Sequence, residues 1–444
     1  MSVITAVRGD VVTFSGDPCL QPPEECLQHL PDALVVMRDG LIQGVGPSAT
    51  LLPTLPETAV IHHYPDSLIS AGFIDTHVHY PQMEMIGAYG KQLLDWLNTY
   101  TFIVEQKFAD SEHARSVARQ FLRELLRAGT TTAMVYCTVH PQSVEAFFTE
   151  SKRLNTRMIA GKVLMDRNAP PALLDTAQSA YDQSKALLER WHHEGRQLYA
   201  ITPRFAPTST EEQLCLAGVL ATEHPDSYIQ THLCETPDEI AWVKELFPNQ
   251  ARYLQVYEQA GLVRERSVFG HGVHLCEEDF ACCHAHGAAL AHCPTSNMFL
   301  GSGLFKLFEA RRSDRPVRVG LGTDLGAGTS FSQLQSLNEA YKVAQLSGSS
   351  LNAIQALYLA TKGGAEALYL ENTIGTVAVG YEADLVVLDP KATPLLNFRN
   401  ERCESLEEQL FMLMTLGDDR AVQATYVAGE RVHLRGQSEV DSVA

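Results

Sequence analysis

Side chains two residues apart on a strand point to the same side, so His77 and His79 in the run DTHVH can present two imidazoles to one cation. Alone the pair means little, because chance readily produces a His-x-His among 17 histidines in 444 residues, and a second one stands at His284-Ala285-His286. That second pair falls in ACCHAHG, a helix or turn in which i and i+2 do not share a face, and a structural role is expected for it. Adjacent His192-His193 is likewise expected on the solvated face of a charged helix. The company kept by His77 and His79 sets them apart: His232 and Glu235 in THLCE, His271 and His274 in FGHGVHL, and Thr323-Asp324 in GLGTD. Imidazole nitrogen and carboxylate oxygen suit zinc, with iron(II) as the competitor, and three or four such ligands leave a position for water. The chemistry on offer is a water whose pKa is lowered toward neutrality and which then acts as a nucleophile.

These residues must be brought together by the elements that carry them. Each lies in or just beyond an apolar run, and eight such runs alternate with helix-favouring stretches: 71–79, 130–139, 157–166, 198–207, 228–235, 267–275, 287–296 and 317–326. The stretch SEHARSVARQFLRELLRAG (111–129) is a helix ending at a glycine cap, and ALLERWHHEG (186–195) is a second charged helical segment. Eight β/α units are the size of a closed (β/α)8 TIM barrel, whose catalytic groups gather at the C-terminal ends of its strands. Periodicity does not establish closure, and a doubly wound open sheet is the alternative. Both ends of the chain read differently. Asp39-Gly40 punctuates a hairpin within ALVVMRDGLIQGVG, and an Ala-Gly turn does so within ATYVAGERVHL. The expected organisation is a barrel over 71–375 and a small β-sandwich domain composed of 1–70 and 376–444.

Composition narrows the function classes. With 34 basic and 53 acidic side chains the formal charge is −19, which repels polyphosphate and anionic lipid, so neither nucleic acid nor a membrane is an expected partner. No apolar stretch approaches the roughly 20 residues needed to span a bilayer, and the opening MSVITAVRGDVV lacks the pattern of a signal peptide. Ten cysteines without a CxxC pair fit reduced thiols, so a cytoplasmic setting is expected.

The strand-borne GFIDTHVHYPQ, THLCE, FGHGVHL and GLGTD resemble the amidohydrolase superfamily, in particular its deaminase branch with one metal ion. The resemblance covers nearly the whole chain, since GYEADLVVLD and TYVAGERV are similar to the small β domain of those enzymes. HYPQMEMIGAYGKQLLDWLNTYTF, MDRNAP, TPRFAPT and CPTSNMFLGSGLF resemble the members that deaminate guanine. The resemblance implies His77, His79, His232 and Asp324 as ligands of one Zn2+, with Fe2+ possible. It implies Glu235 as proton shuttle beside His271 and Asp324, with Gln82, Arg204, Phe205 and His232 against the substrate. For Arg204 the residues alone allow a second reading, an ordinary salt-bridged arginine at a strand end. The PCxxC of the small-fold nucleobase deaminases is absent. TPRFAP stands where two-metal relatives carry a bridging residue, and Lys162 lies on the third strand. The implied reaction is hydrolysis of guanine to xanthine and ammonia, in a homodimer. Other aminated heterocycles (8-oxoguanine, a pterin, a triazine) are alternative substrates, and a non-catalytic scaffold of the same fold is the remaining alternative.

Overall fold

The computed structural model describes residues 3–89 and 93–437. Four strands come first, β1 Thr5–Phe14, β2 Leu27–Arg38, β3 Leu41–Pro47 and β4 Val60–Ala71. The next nine are β5 Phe73–His79, β6 Thr130–Tyr136, β7 Arg157–Gly161, β8 Val163–Leu164, β9 Leu198–Pro203, β10 Tyr228–Leu233, β11 Ser267–His271, β12 Ala289–His292 and β13 Arg318–Leu321. Three more follow, β14 Leu385–Leu388, β15 Val422–Val427 and β16 Glu430–Leu434.

The terminal strands build one mixed sheet in the order β16-β15-β14-β4-β1-β2-β3. Its two hairpins turn where the sequence placed them. Asp39 and Gly40 have φ of 52° and 80°, and Ala428 and Gly429 have 47° and 80°, the doubly positive pattern that matches the twist of flanking strands. The two ends of the chain meet where β14 pairs antiparallel with β4, from Leu385 opposite Ala71 to Leu388 opposite Leu68. Val7, Val35, Ile69, Val387 and Tyr426 share the core of this sheet.

The remaining strands run parallel in the order β13-β12-β11-β10-β9-β7-β6-β5, with β8 continuing the third position against β9. The Asp324 amide donates to the His77 carbonyl at 2.9 Å, and the Thr323 amide donates to Asp75 Oδ1 at 3.0 Å. These two bonds join the end of β13 to β5 and close the ring, the point that periodicity left open. Ile74, Met134, Ile159, Ala200, Val268 and Ala289 form a cluster of their own. Helices pack outside. In Ser111–Arg127 the Asp110 carboxylate accepts the amides of Glu112 and His113, which caps orphan donors of the first turn. Gly129 follows the helix with φ of 84°.

The sheet from the termini is fastened at the N-terminal ends of the barrel strands, where Arg157 donates to Glu382 at 2.8 Å and Arg196 donates to both Glu382 and Asp384. The opposite end stays clear for the site. One expectation is corrected here: the helix Ala177–Trp191 stops before His192, which is its C-cap and is 6% exposed at the side chain rather than solvated. Among the described residues no helix is long and apolar enough to cross a membrane.

Candidate active site

Alternation along β5 sends His77 and His79 into the mouth of the barrel, with Val78 pointing the other way into the core. His232 comes from β10, and Glu235 lies just past that strand's end. His271 ends β11, and Asp324 follows β13. His271 and Asp324 are held at φ of 70° and 48°, a region that side chains other than glycine rarely occupy. Strain of this kind persists where the surroundings fix a residue to aim its side chain.

The side chains converge tightly. His77 Nε2 lies 3.4 Å and His79 Nε2 3.5 Å from Asp324 Oδ1, and the Nε2 atoms of His79 and His232 are 3.2 Å apart. His232 Nδ1 lies 2.7 Å from the Arg204 carbonyl, to which it donates. That bond places the ring proton on Nδ1 and leaves the Nε2 lone pair facing inward. With a cation at the point the two rings share, His79 Nε2 would present its lone pair there as well. His77 Nε2 and His271 Nε2 are buried with no hydrogen-bond partner. Donors around a tetrahedral ion at about 2.0–2.1 Å are about 3.3 Å from one another, the spacing observed here. The donor set therefore fits a small divalent cation.

Burial pushes the pKa of His77 down, and those of His79 and His232 well down, which keeps these rings neutral and free to ligate. Burial pushes Asp324 the opposite way, but the adjacent imidazoles of His77, His271 and His79 hold it well below the usual carboxylate range. Glu235 is pushed up to about 7, chiefly by burial, with His271 opposing. Burial lowers His271, yet Glu235 and Asp324 outweigh it and raise the imidazole. His271 Nε2 lies 3.4 Å from Glu235 Oε2 and 3.8 Å from Asp324 Oδ2.

One segment after β12 orients all three of these groups. Ser296 Oγ donates to Asp324 Oδ2 at 2.5 Å, His271 Nδ1 donates to Asn297 Oδ1 at 2.8 Å, and Ser302 Oγ donates to Glu235 Oε1 at 3.0 Å. His274 is exposed, and its Nε2 bonds the Ser302 carbonyl at 2.8 Å, so it steadies the segment from outside the cluster.

Above the cluster lies a cavity with about 400 Å³ of empty space, counting the space open to solvent. Gln82, Arg204 and Phe205 line it together with His79, His232, Glu235, His271 and Asp324, while His77 does not line it and reaches the cluster beside Asp324. Arg204 lines the cavity, and its Nη1 also bonds both carboxylate oxygens of Glu105 at 2.9 and 2.8 Å, the salt bridge that the residues alone allowed.

Sequence reasoning missed Glu105, Trp96, Ser296, Asn297 and Ser302. Trp96 is 2% exposed, lines the cavity, and its indole N–H has no acceptor. None of the five has a spacing that signals chemistry: Glu105, Ser296, Asn297 and Ser302 bond partners far away in sequence, and Trp96 is one aromatic in an apolar run. The other motifs stay outside the site. Lys162 Nζ pairs with Asp175. His192 Nδ1 accepts the Tyr199 amide at 2.9 Å, so its proton sits on Nε2, 3.3 Å from Asp226. No lone pair is left there for a cation. His284 and His286 bond the carbonyls of Pro316 and Cys282.

Comparison with known proteins places this geometry. Residues 68–432 match the model of the Amidohydrolase family. The chain belongs to the amidohydrolase family. Guanine deaminase of Escherichia coli (strain K12) is 51% identical over 97% of this chain and 98% of its own length. The solved E. coli enzyme superposes with a TM-score of 0.95, covering 97% of this chain and all of that one. Guanine deaminase from Bradyrhizobium japonicum gives a TM-score of 0.94 at 36% identity, over 98% of this chain and 100% of that one. The enzyme from C. acetobutylicum, solved with guanine bound in its active site, gives 0.85 at 27% identity, over 96% of this chain and 99% of that one. This amidohydrolase is thus similar over its full length to enzymes that hydrolyse carbon–nitrogen bonds.

Proposed function

We propose that the protein hydrolyses guanine to xanthine and ammonia. The observation that carries this reading is the placement, around one cavity, of an imidazole–carboxylate cluster, a glutamate pushed up to about 7 and a guanidinium. His77, His79, His232 and Asp324 would hold one ion, and a donor set of three nitrogens and one oxygen favours Zn2+ over Fe2+. A divalent cation in such a site supplies Lewis acidity, which lowers the pKa of water.

The protein's own groups handle the protons and the base. Asp324 orients water and accepts a proton from it. Glu235, protonated, gives its proton to ring N3 of guanine, which breaks the conjugation at C2 so that the carbon can become tetrahedral. His271 stabilises the oxygen as it bonds to C2. The second proton of the water passes through Glu235 to the exocyclic nitrogen. The C2–N bond then breaks and ammonia leaves. The proton on Asp324 then passes to Glu235, which restores both carboxyls, so that in net one proton of the water stands on N3 of xanthine and the other on ammonia.

Arg204 offers only donors, which match the C6 carbonyl of guanine and leave the C6 amine of adenine without an acceptor. Gln82 bonds a second ring-edge atom, and Phe205 and His232 line the slot. A homodimer is proposed on family grounds, and the ten unpaired cysteines fit a reducing compartment such as the cytoplasm. Incubation of the purified protein with guanine should give xanthine and ammonia in equal amounts, while adenine stays unchanged. Turnover confined to 8-oxoguanine, a pterin or a triazine in the same panel would reassign the substrate, and no turnover of any would remove catalysis.

A further inference from the structure

The short helix Phe102–Glu105 places Glu105 behind the recognition side of the cavity, with no exposed surface. Both of its oxygens are taken by Arg204 Nη1, and the Phe102 ring lies 5.5 Å from the guanidinium carbon. Burial pushes the Glu105 carboxyl up, and Arg204 and then the Gln82 amide pull it down. One buried carboxylate therefore pairs with the guanidinium that the proposed function sets against the edge of the base.

A guanidinium left alone among Trp96, Phe102 and Phe205 would be a desolvated cation, costly to bury and attractive to any anion. Paired with Glu105, the same fork keeps its donors but contributes no net charge. The geometry points to Glu105 as a specificity-determining positioning residue: it fixes the Arg204 fork for a carbonyl and neutralises it, so that the pocket takes an uncharged purine and rejects an anionic one. This rests on the reading of guanine as substrate. It adds a reason why a site built around an arginine releases an acidic purine such as xanthine.

The test is binding of xanthine, largely a monoanion at mildly alkaline pH, against hypoxanthine, largely neutral there, measured by calorimetry on the metal-loaded protein. Glu105→Gln should shift the xanthine-to-hypoxanthine affinity ratio toward xanthine by about tenfold or more, and should raise KM for guanine more than it lowers kcat. Combining Glu105→Gln with Arg204→Met removes both charges and should return the ratio to that of the parent, with guanine still bound poorly. A ratio in Glu105→Gln within twofold of the parent, or one that stays shifted in the double variant, overturns the proposal. Should Glu105→Gln fail to fold, the parent decides. Its affinity for xanthine should fall as xanthine ionises, relative to hypoxanthine measured over the same range to cancel titration of Glu235, His271 and Asp324. Constant or rising relative affinity overturns it. Binding of either purine without turnover of guanine would sink the substrate reading and leave the ratio test standing.

Discussion

A buried carboxyl pushed up to about 7 is useful for moving protons and costly for folding. Glu235 stands at about 7 against an ordinary value of 4.5, so above neutrality it costs about 3 kcal/mol at about 1.4 kcal/mol per unit. The sign follows from proton uptake. Between pH 4.5 and 7 the folded state binds more protons than the unfolded one, so stability falls as pH rises through that window and is level above it. Glu235→Gln keeps the shape but cannot cycle a proton. Turnover should drop by about 100-fold or more with the ion retained. The metal-stripped variant should be more stable than the stripped parent at pH 8, by an amount that vanishes near pH 4 in denaturant titrations. A glutamate serving only as a salt-bridge partner predicts the reverse, lost stability with activity intact. Arg204→Met should lower kcat/KM for guanine by about 100-fold or more without loss of the ion, since a site built for a polar group suffers when that bond is unmade. An unaffected steady-state rate would make Arg204 structural. The histidines were legible in the sequence because period-two spacing and barrel geometry say where they point. Glu105 was not, because its partner lies 99 residues away and nothing local marks it.

Elements aim these side chains as much as they carry them. Gly270 lies on β11 beside His77, and a Cβ there would come within 2.5 to 2.7 Å of that imidazole. Gly270→Ala should therefore turn His77 and weaken ion binding by about 10- to 100-fold, as displaced supports of a ligand do. The readout is competition with a chromogenic chelator, with circular dichroism to confirm the fold. Unchanged affinity would mean that the ring can yield without cost. All eight barrel strands were legible from apolar runs set between helical stretches. The lid was not. LLDWLNTYTFIVE is apolar around much of its circumference, so periodicity assigns it no face, and it folds as short α and π turns, Leu93–Trp96, Leu97–Thr101 and Phe102–Glu105, over the pocket. The segment that carries Ser296, Asn297 and Ser302 is marked in the sequence by family likeness alone, because small polar residues that bond distant partners leave no periodic trace.

For the molecule as a whole, about one ion per chain is expected in active, washed protein, and two equivalents by elemental analysis would contradict the single cluster. His77→Ala or Asp324→Ala should lose both ion and activity, since an open site has few ligands to spare. Light scattering should report a dimer, and a monomer at working concentration would remove that assignment. Closure of the barrel could not be read from sequence, because it rests on the bonds from Thr323 and Asp324 back to Asp75 and His77, across almost 250 residues. The meeting of the two chain ends has a temporal consequence. In the finished sheet β4 lies between β1 and β14, and β14 begins only at Leu385. During synthesis the edge of β4 from Leu68 to Ala71 waits, without a partner, for almost the entire barrel to be made. Open strand edges invite wrong pairings and domain-by-domain folding delays. A chain interrupted before Leu385 thus carries its own mark of incompleteness, an unpaired edge next to the first strand of the barrel, on which chaperones and proteases can act before a half-built enzyme accumulates.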